Sequence, residues 1–361
     1  MRAGRWRDRA ARARRASPIA LLAAALWAAA AQAPADPGRL LPNPLEFLRG
    51  DAGFSASEIG SLEQGRSLAK VVETDDNSEV LAVGAMKIHA STARVLKQVR
   101  AFEGRRRPVD VLQSGSFSPE PSPRDLASLS LDATDVNWLA KCKVYDCDVR
   151  LPASAIARFR TEIDWSSPQR AEKAAALWRE TMAGFAAAYL ARGNAGLVEY
   201  DNNDMPVKVA DSYAREVARS RYLAESAPDL YRYVSSFPKD PPGGIEEYLY
   251  WIKEKFWIKH VMSLNHVMIL TGEQPSGHHL LAVSKQIYAN QYFESSLSVT
   301  SFIESPAGGY FVYVSRSRAD IRRSGFNFLE RALLRRLVVG RLKAQLQWLR
   351  GVLESPGGSA D

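Results

Sequence analysis

The chain has 361 residues, with 48 Lys and Arg against 40 Asp and Glu, for a formal net charge of +8. Hydrophobic residues at 46% and charged residues at 24% fit a globular protein and exclude a disordered one. Two cysteines exclude a disulfide-dense scaffold, and the length allows one large domain or two ordinary ones.

The positive charge is uneven from the first residues. Residues 1–15 carry seven arginines opposed only by Asp8. The uncharged apolar run 19–31 follows, and then Ala33-Pro34-Ala35. Basic, apolar and small-residue regions in that order describe a secretory signal peptide over 1–35. The apolar run is about 13 residues, whereas a membrane-spanning helix needs roughly 20, so a retained anchor is the disfavoured alternative. Without residues 1–35 the chain keeps 41 basic and 39 acidic residues, a net charge of +2. The reading is an exported protein, periplasmic or extracellular, with no nucleic-acid partner.

A lead-in follows over 36–64. Segment 67–73 alternates apolar and polar residues and predicts a strand, and Asp75-Asp76-Asn77-Ser78 predicts a turn. Segment 79–89 predicts a second strand with Val80, Ala82, Met86 and Ile88 on one face. Ser91 offers an N-cap to a helix carrying Val95, Leu96, Val99 and Phe102. Segment 109–117 predicts a third strand, and the Pro- and Ser-rich 119–123 a loop.

Residues 124–245 read as a helical insertion. Short helices surround Cys142 and Cys147, and 151–154 opens another. Segment 171–191 consists largely of good helix formers and stops at Arg192-Gly193-Asn194. A further helix is predicted over 209–223, and Pro238 to Gly244 break the pattern.

Strand signals return over 246–355. Segment 259–270 alternates, 280–303 is one long β-rich run, and 310–318 is another strand. Leu334, Val338, Leu342, Leu346, Leu349 and Leu353 then recur at steps of three or four in a long helix over 325–354. Residues 356–361 read as a disordered tail.

That order of elements resembles the StART-like (SRPBCC, helix-grip) superfamily. The resemblance rests on the opening SLAKVVETDDNSEVLAVGAMKIHASTARVLKQVRAFEG, on the late strands KQIYANQYFESSLSVTSF and GYFVYVSRSRADI, and on the closing RALLRRLVVGRLKAQLQWLRGVLE. It covers roughly 65–117 and 250–355. It implies an α+β fold in which a curved antiparallel sheet wraps the last helix, with two parts of one domain (65–123 and 246–355) separated by the insertion. It also implies a cavity for an apolar ligand between sheet and helix. A secreted bacterial member with a large insertion fits this reading. The resemblance carries no catalytic residue, cofactor or metal.

The chemistry of the residues points the same way. There is no H-E-x-x-H, G-x-S-x-G, Walker loop or G-x-G-x-x-G. In an exported chain the pair in C-K-V-Y-D-C is expected as a disulfide, Cys142 to Cys147, with two free thiols as the alternative. His278-His279 read as a solvated pair, since a metal site needs further ligands.

Candidate ligand contacts are His266, Lys285, Tyr288, Tyr292, Tyr310, Arg316 and Arg318. His266 shares a strand face with Met262, Leu264 and Met268. Lys285 shares one with Leu281, Val283 and Ile287. Arg316 and Arg318 share one with Tyr310, Val312 and Val314. A charge on an apolar face is either solvent-exposed or needs a partner, a carboxylate such as Glu294 or Asp320 or a ligand head group. Residues 316–350 hold ten basic and two acidic residues, which suits a solvated helix face or transient contact with an anionic membrane surface.

The first functional reading is an exported binder of a hydrophobic small molecule or lipid. An enzyme using His266, Lys285 or Tyr292 in the same cavity is the alternative, as is an envelope interaction protein with a filled core.

Overall fold

The computed structural model describes residues 43–101, 111–203, 205–256, 259–274, 277–319 and 328–355. The signal peptide expected over 1–35, the first part of the lead-in and the tail over 356–361 lie outside the described residues.

Ten strands are described: β1 Leu68–Val72, β2 Glu79–Ile88, β3 Val111–Ser116, β4 Glu199–Tyr200, β5 Val207–Lys208, β6 Glu246–Phe256, β7 Lys259–Gln274, β8 Gly277–Ala289, β9 Phe293–Ile303 and β10 Gly309–Ala319. Eight of them form one sheet in the order β1-β2-β10-β9-β8-β7-β6-β3, and every neighbouring pair is antiparallel. β4 and β5 pair separately. Ten α-helices are described with them: α1 Pro44–Gly50, α2 Ala56–Glu63, α3 Thr92–Arg100, α4 Ala133–Lys141, α5 Ala153–Glu162, α6 Arg170–Arg192, α7 Val209–Ala218, α8 Arg221–Ser226, α9 Pro228–Ser236 and α10 Phe328–Glu354. The fold is mixed α+β around a large antiparallel sheet.

Both faces of the sheet are covered, and strand alternation sorts its residues between two cores. On one face, Met262, Leu264, Leu281, Ile287, Leu297 and Val312 pack against the helices, with Trp178 of α6, Tyr213 of α7 and Phe159 of α5 among them. On the other face, Met86, Val267, Ile269, Leu280, Phe302 and Phe311 meet Val95 of α3 and Leu342, Leu346 and Leu353 of α10. The helices of 124–245 therefore share a core with the sheet, and all described residues fall in one compact unit.

Two glycines permit close approaches. A Cβ at Gly84 of β2 would stand 2.9 Å from Leu346 and 3.1 Å from Leu342, so its absence lets α10 seat directly on β2. Gly193 ends α6 at φ 59°, where a Cβ would strike the Phe237 carbonyl.

The local signals read from sequence meet three corrections. The lead-in carries two capped helices: Asn43 caps α1, and Ser55 and Glu58 form a capping box on α2. The run 280–303 is two strands, separated by a turn in which Tyr292 takes φ 58°. No glycine or proline marks that turn. β6 is a full strand where only later segments were assigned; with Leu249 and Trp251 on one face and Tyr250 and Ile252 on the other, both its faces are apolar and the alternation is hidden.

Candidate functional site

A cavity of about 400 Å³ lies between the sheet and α10. Its roof is largely apolar: Val338, Leu342, Leu346, Trp348 and Leu349 of α10 line it, with Gln345 among them. Val95 and Val99 of α3 line it with Val267 and Phe311 from the strands.

The floor is different: on β7 to β10 many of the strand residues that face the cavity are small and polar, whereas β6 brings Tyr248, Tyr250, Ile252 and Phe256. Cross-strand register aligns the polar residues of β7 to β10 in two rows. Asn265, Gln286, Ser296 and Ser317 stand side by side on β7, β8, β9 and β10. One pleat repeat along, Ser284, Ser298 and Ser315 do the same on β8, β9 and β10. All seven line the cavity. Neighbours in the rows bond to each other: the Ser296 and Ser317 hydroxyls are 2.8 Å apart, and Ser298 donates to Ser315 at 3.1 Å. The Tyr313 hydroxyl lies 3.0 Å from Ser298 Oγ, and Asn265 Nδ2 donates to Ser263 Oγ at 3.0 Å. Two lining atoms are buried without a hydrogen-bond partner: Gln286 Oε1 and the Tyr292 hydroxyl.

Tyr292 is the one residue of the sequence-derived set that lines this cavity. His266, Lys285, Tyr310, Arg316 and Arg318 have the opposite strand parity, and Tyr288 joins them through a bulge between β7 and β8 that follows Gln286; all six lie on the helical side of the sheet. This corrects the cavity contacts expected of them. Each has protein partners there. Lys285 hydrogen-bonds to Asn194, with its ammonium 3.7 Å from the Tyr213 ring centre and 4.6 Å from that of Tyr189. Burial pushes its pKa well below 10.5. His266 Nδ1 is 2.9 Å from the Tyr189 hydroxyl, and its Nε2 is 3.3 Å from Glu247. Burial lowers the His266 pKa and outweighs the pull of Glu247 in the other direction. Tyr288 donates to the Arg150 carbonyl at 2.9 Å, and Tyr310 donates to Glu63 at 2.6 Å.

Arg316 and Arg318 belong to a cluster at one end of β2 and β10. Arg316 pairs with buried Glu79, and Arg318 reaches Asp76 at 2.5 Å and Glu294 at 3.6 Å. Asp320, the other partner considered, lies outside the described residues. Glu216 of α7 joins the cluster at 3.9 Å from Arg318. Burial and the charge of Glu79 push Glu216 up to about 7.

Cys142 and Cys147 form a disulfide at the C-terminal end of α4. Among the described residues, no group of three or more His, Cys, Asp or Glu side chains is placed to hold a metal ion. No helix among them is long and apolar enough to cross a membrane.

The floor residues were missed because polar positions on a strand read as solvent-facing. Their signal was present in the spacing: S-S-L-S-V-T-S and V-S-R-S-R put serine or threonine at alternate positions on adjacent strands.

No family model matches the chain, and no curated protein matches it. A crystal structure of a fragment of the STAR-related lipid transfer protein from Xanthomonas axonopodis is similar, with 8% sequence identity and a TM-score of 0.32. The similarity covers 80% of this chain and 94% of that one.

Proposed function

We propose that the protein binds a hydrophobic small molecule or lipid in the cavity between the sheet and α10, without catalysing a reaction on it. The observation that carries this reading is the cavity of about 400 Å³ beneath the largely apolar face of α10. That size falls in the range of small-molecule sites, and mostly apolar walls are what such ligands need. Non-catalytic binding is supported by the position of His266 and Lys285, which turn away from the cavity and are engaged with protein partners.

A helix-grip arrangement of the StART-like kind is part of the proposal. Its support is an antiparallel sheet with β1 and β10 on either side of β2, and with α10 seated on β2 through Gly84. Export is proposed from the N-terminal sequence and fits the Cys142–Cys147 disulfide. Transient docking on an anionic membrane is proposed through the outer side of α10, where Arg336, Leu337 and Lys343 are exposed.

The test is uptake of the neutral fluorophore N-phenylnaphthylamine, with native mass spectrometry of protein extracted under mild conditions. Binding of the probe, with energy transfer from Trp348, is the expected result. A clean apo mass together with no probe uptake would overturn the reading.

A further inference from the structure

The cavity has a helix wall that is apolar apart from Gln98 and Gln345, and a sheet wall whose β7 to β10 portion is rich in hydroxyl and amide groups; this asymmetry constrains its occupant. We infer that the ligand is neutral and two-faced, with alcohol, carbonyl or ester oxygens along one side and hydrocarbon along the other, and that Gln286 and Tyr292 bond to its oxygens. This rests on the hydrophobic-ligand reading above and narrows it.

Three observations lead there. First, Gln286 Oε1 and the Tyr292 hydroxyl are buried, line the cavity and have no hydrogen-bond partner. Leaving buried polar atoms in that state is costly, and a ligand hydroxyl or carbonyl would remove the cost. The two differ in chemistry. Gln286 Oε1 only accepts, so it calls for a ligand O–H, whereas the Tyr292 hydroxyl can also donate to a ligand carbonyl or ether.

Second, the rows Asn265-Gln286-Ser296-Ser317 and Ser284-Ser298-Ser315 place polar groups across four strands rather than at one point. A single head group would leave most of them facing hydrocarbon. A ligand with oxygens spread along one edge would meet both rows. On the opposite wall Leu342, Leu346 and Leu349 offer only dispersion contacts, and Gln345 is the polar residue that α10 adds among them.

Third, among the described residues lining the cavity the one charged side chain is Glu254, an acid. Arg316, Arg318 and Lys285 lie across the sheet, in contact with Glu79, Asp76 and Asn194. An anionic ligand inside the cavity would bury its charge with no positive side chain among those described residues to meet it, and a buried charge without a partner is strongly disfavoured.

The experiment compares three probes that share one alkyl chain: monododecanoylglycerol, dodecanol and dodecanoate. Each competes against bound N-phenylnaphthylamine at about pH 8, where the acid is ionised. The neutral, oxygen-rich glyceride is expected to displace the fluorophore at a concentration about tenfold below that of dodecanoate, with dodecanol between them. Gln286→Leu is expected to weaken the glyceride about fivefold relative to the fluorophore, whose own affinity is measured in each variant. Tyr292→Phe is measured beside it, since it removes one hydroxyl and keeps the ring, and the same loss is expected if Gln286→Leu fails to fold. Dodecanoate binding as well as the glyceride, or folded variants that bind the glyceride like the parent, would overturn the inference and leave hydrophobic binding intact. If the fluorophore itself does not bind, the hydrophobic-ligand reading fails and the inference falls with it.

Discussion

His266 on β7 and Lys285 on β8 are direct cross-strand partners, and both are fully buried on the helical side of the sheet. Two ionisable groups adjacent in that setting disfavour each other's charge, and burial has already lowered both pKa values. Tyr189 is in contact with both, and the Glu247 carboxylate stands 3.3 Å from His266 Nε2.

Lys285 should therefore give the protein an alkaline stability gradient. The unfolded chain keeps the ammonium proton up to about the ordinary value of 10.5, whereas the native state releases it at a much lower pH. Between those limits the unfolded state binds the additional proton, so stability rises with pH. Lys285→Met should flatten this gradient, and Lys285→Ala should in addition cost about 3 kcal/mol through the cavity it leaves. Denaturant melts from about pH 7 to about pH 10 measure both effects. An unchanged gradient in Lys285→Met would show that the ammonium stays charged in the native state.

Glu216 should act in the opposite direction at lower pH. Its native carboxyl titrates at about 7, pushed up by burial and Glu79, against 4.5 when unfolded. Between those values the native state holds the additional proton, so stability falls as pH rises through that window. Glu216→Gln should remove the fall and be more stable than the parent above about pH 7, by on the order of 2 kcal/mol. Equal stability of the two proteins at pH 5 and pH 8 alike would contradict this assignment.

Asp132 ties the insertion to the sheet. It caps α4 by accepting from the Thr134 and Asp135 amides, and it pairs with His260 at 2.7 Å and Lys253 at 3.3 Å. Burial raises its pKa, but the hydrogen bonds from the Asp135 amide and His260 outweigh it and hold the carboxyl at about 2. Its contribution is present above the unfolded value of 3.8 and is lost as pH falls from there towards 2. Asp132→Ala should cost about 2 kcal/mol at neutral pH and show a shallower acid transition. Urea unfolding followed by tryptophan fluorescence reads both.

The cavity can be filled from its floor. Ser284 lines it at the middle of β8. Ser284→Phe should abolish uptake of the fluorophore while changing the melting temperature little or raising it, since filling a void commonly adds about 0.5–2 kcal/mol. Retained uptake in a folded Ser284→Phe would place the probe elsewhere.

The alternation of strand residues was legible in the sequence, and it sorted His266, Lys285, Arg316 and Arg318 correctly onto shared faces with apolar neighbours. Alternation gives two faces but does not say which one borders a void. Here both are covered, one by the insertion and one by α3 and α10, so the apolar face became solid core and the serine face became the cavity floor. The helix over 328–354 was legible from its leucine stripe. The turn at Tyr292 was not, because a positive φ at a tyrosine leaves no compositional mark. β6 was hidden for a related reason: its Tyr250, Trp251 and Ile252 are all buried, so no polar beat interrupts the run.

The two serine rows also guard the pairing of the strands that carry them. A slip of β8 or β10 by one residue would turn Lys285 or Arg316 towards the hydrocarbon of α10 and leave serines beneath the aromatic side chains of the insertion. The misaligned sheet would bury a cation on one side and lose its apolar packing on the other. In β8, β9 and β10, the chemistry that would hold a cargo is thus also a proofreading code for assembly of the sheet, and substitutions that make the cavity greasier should loosen that code.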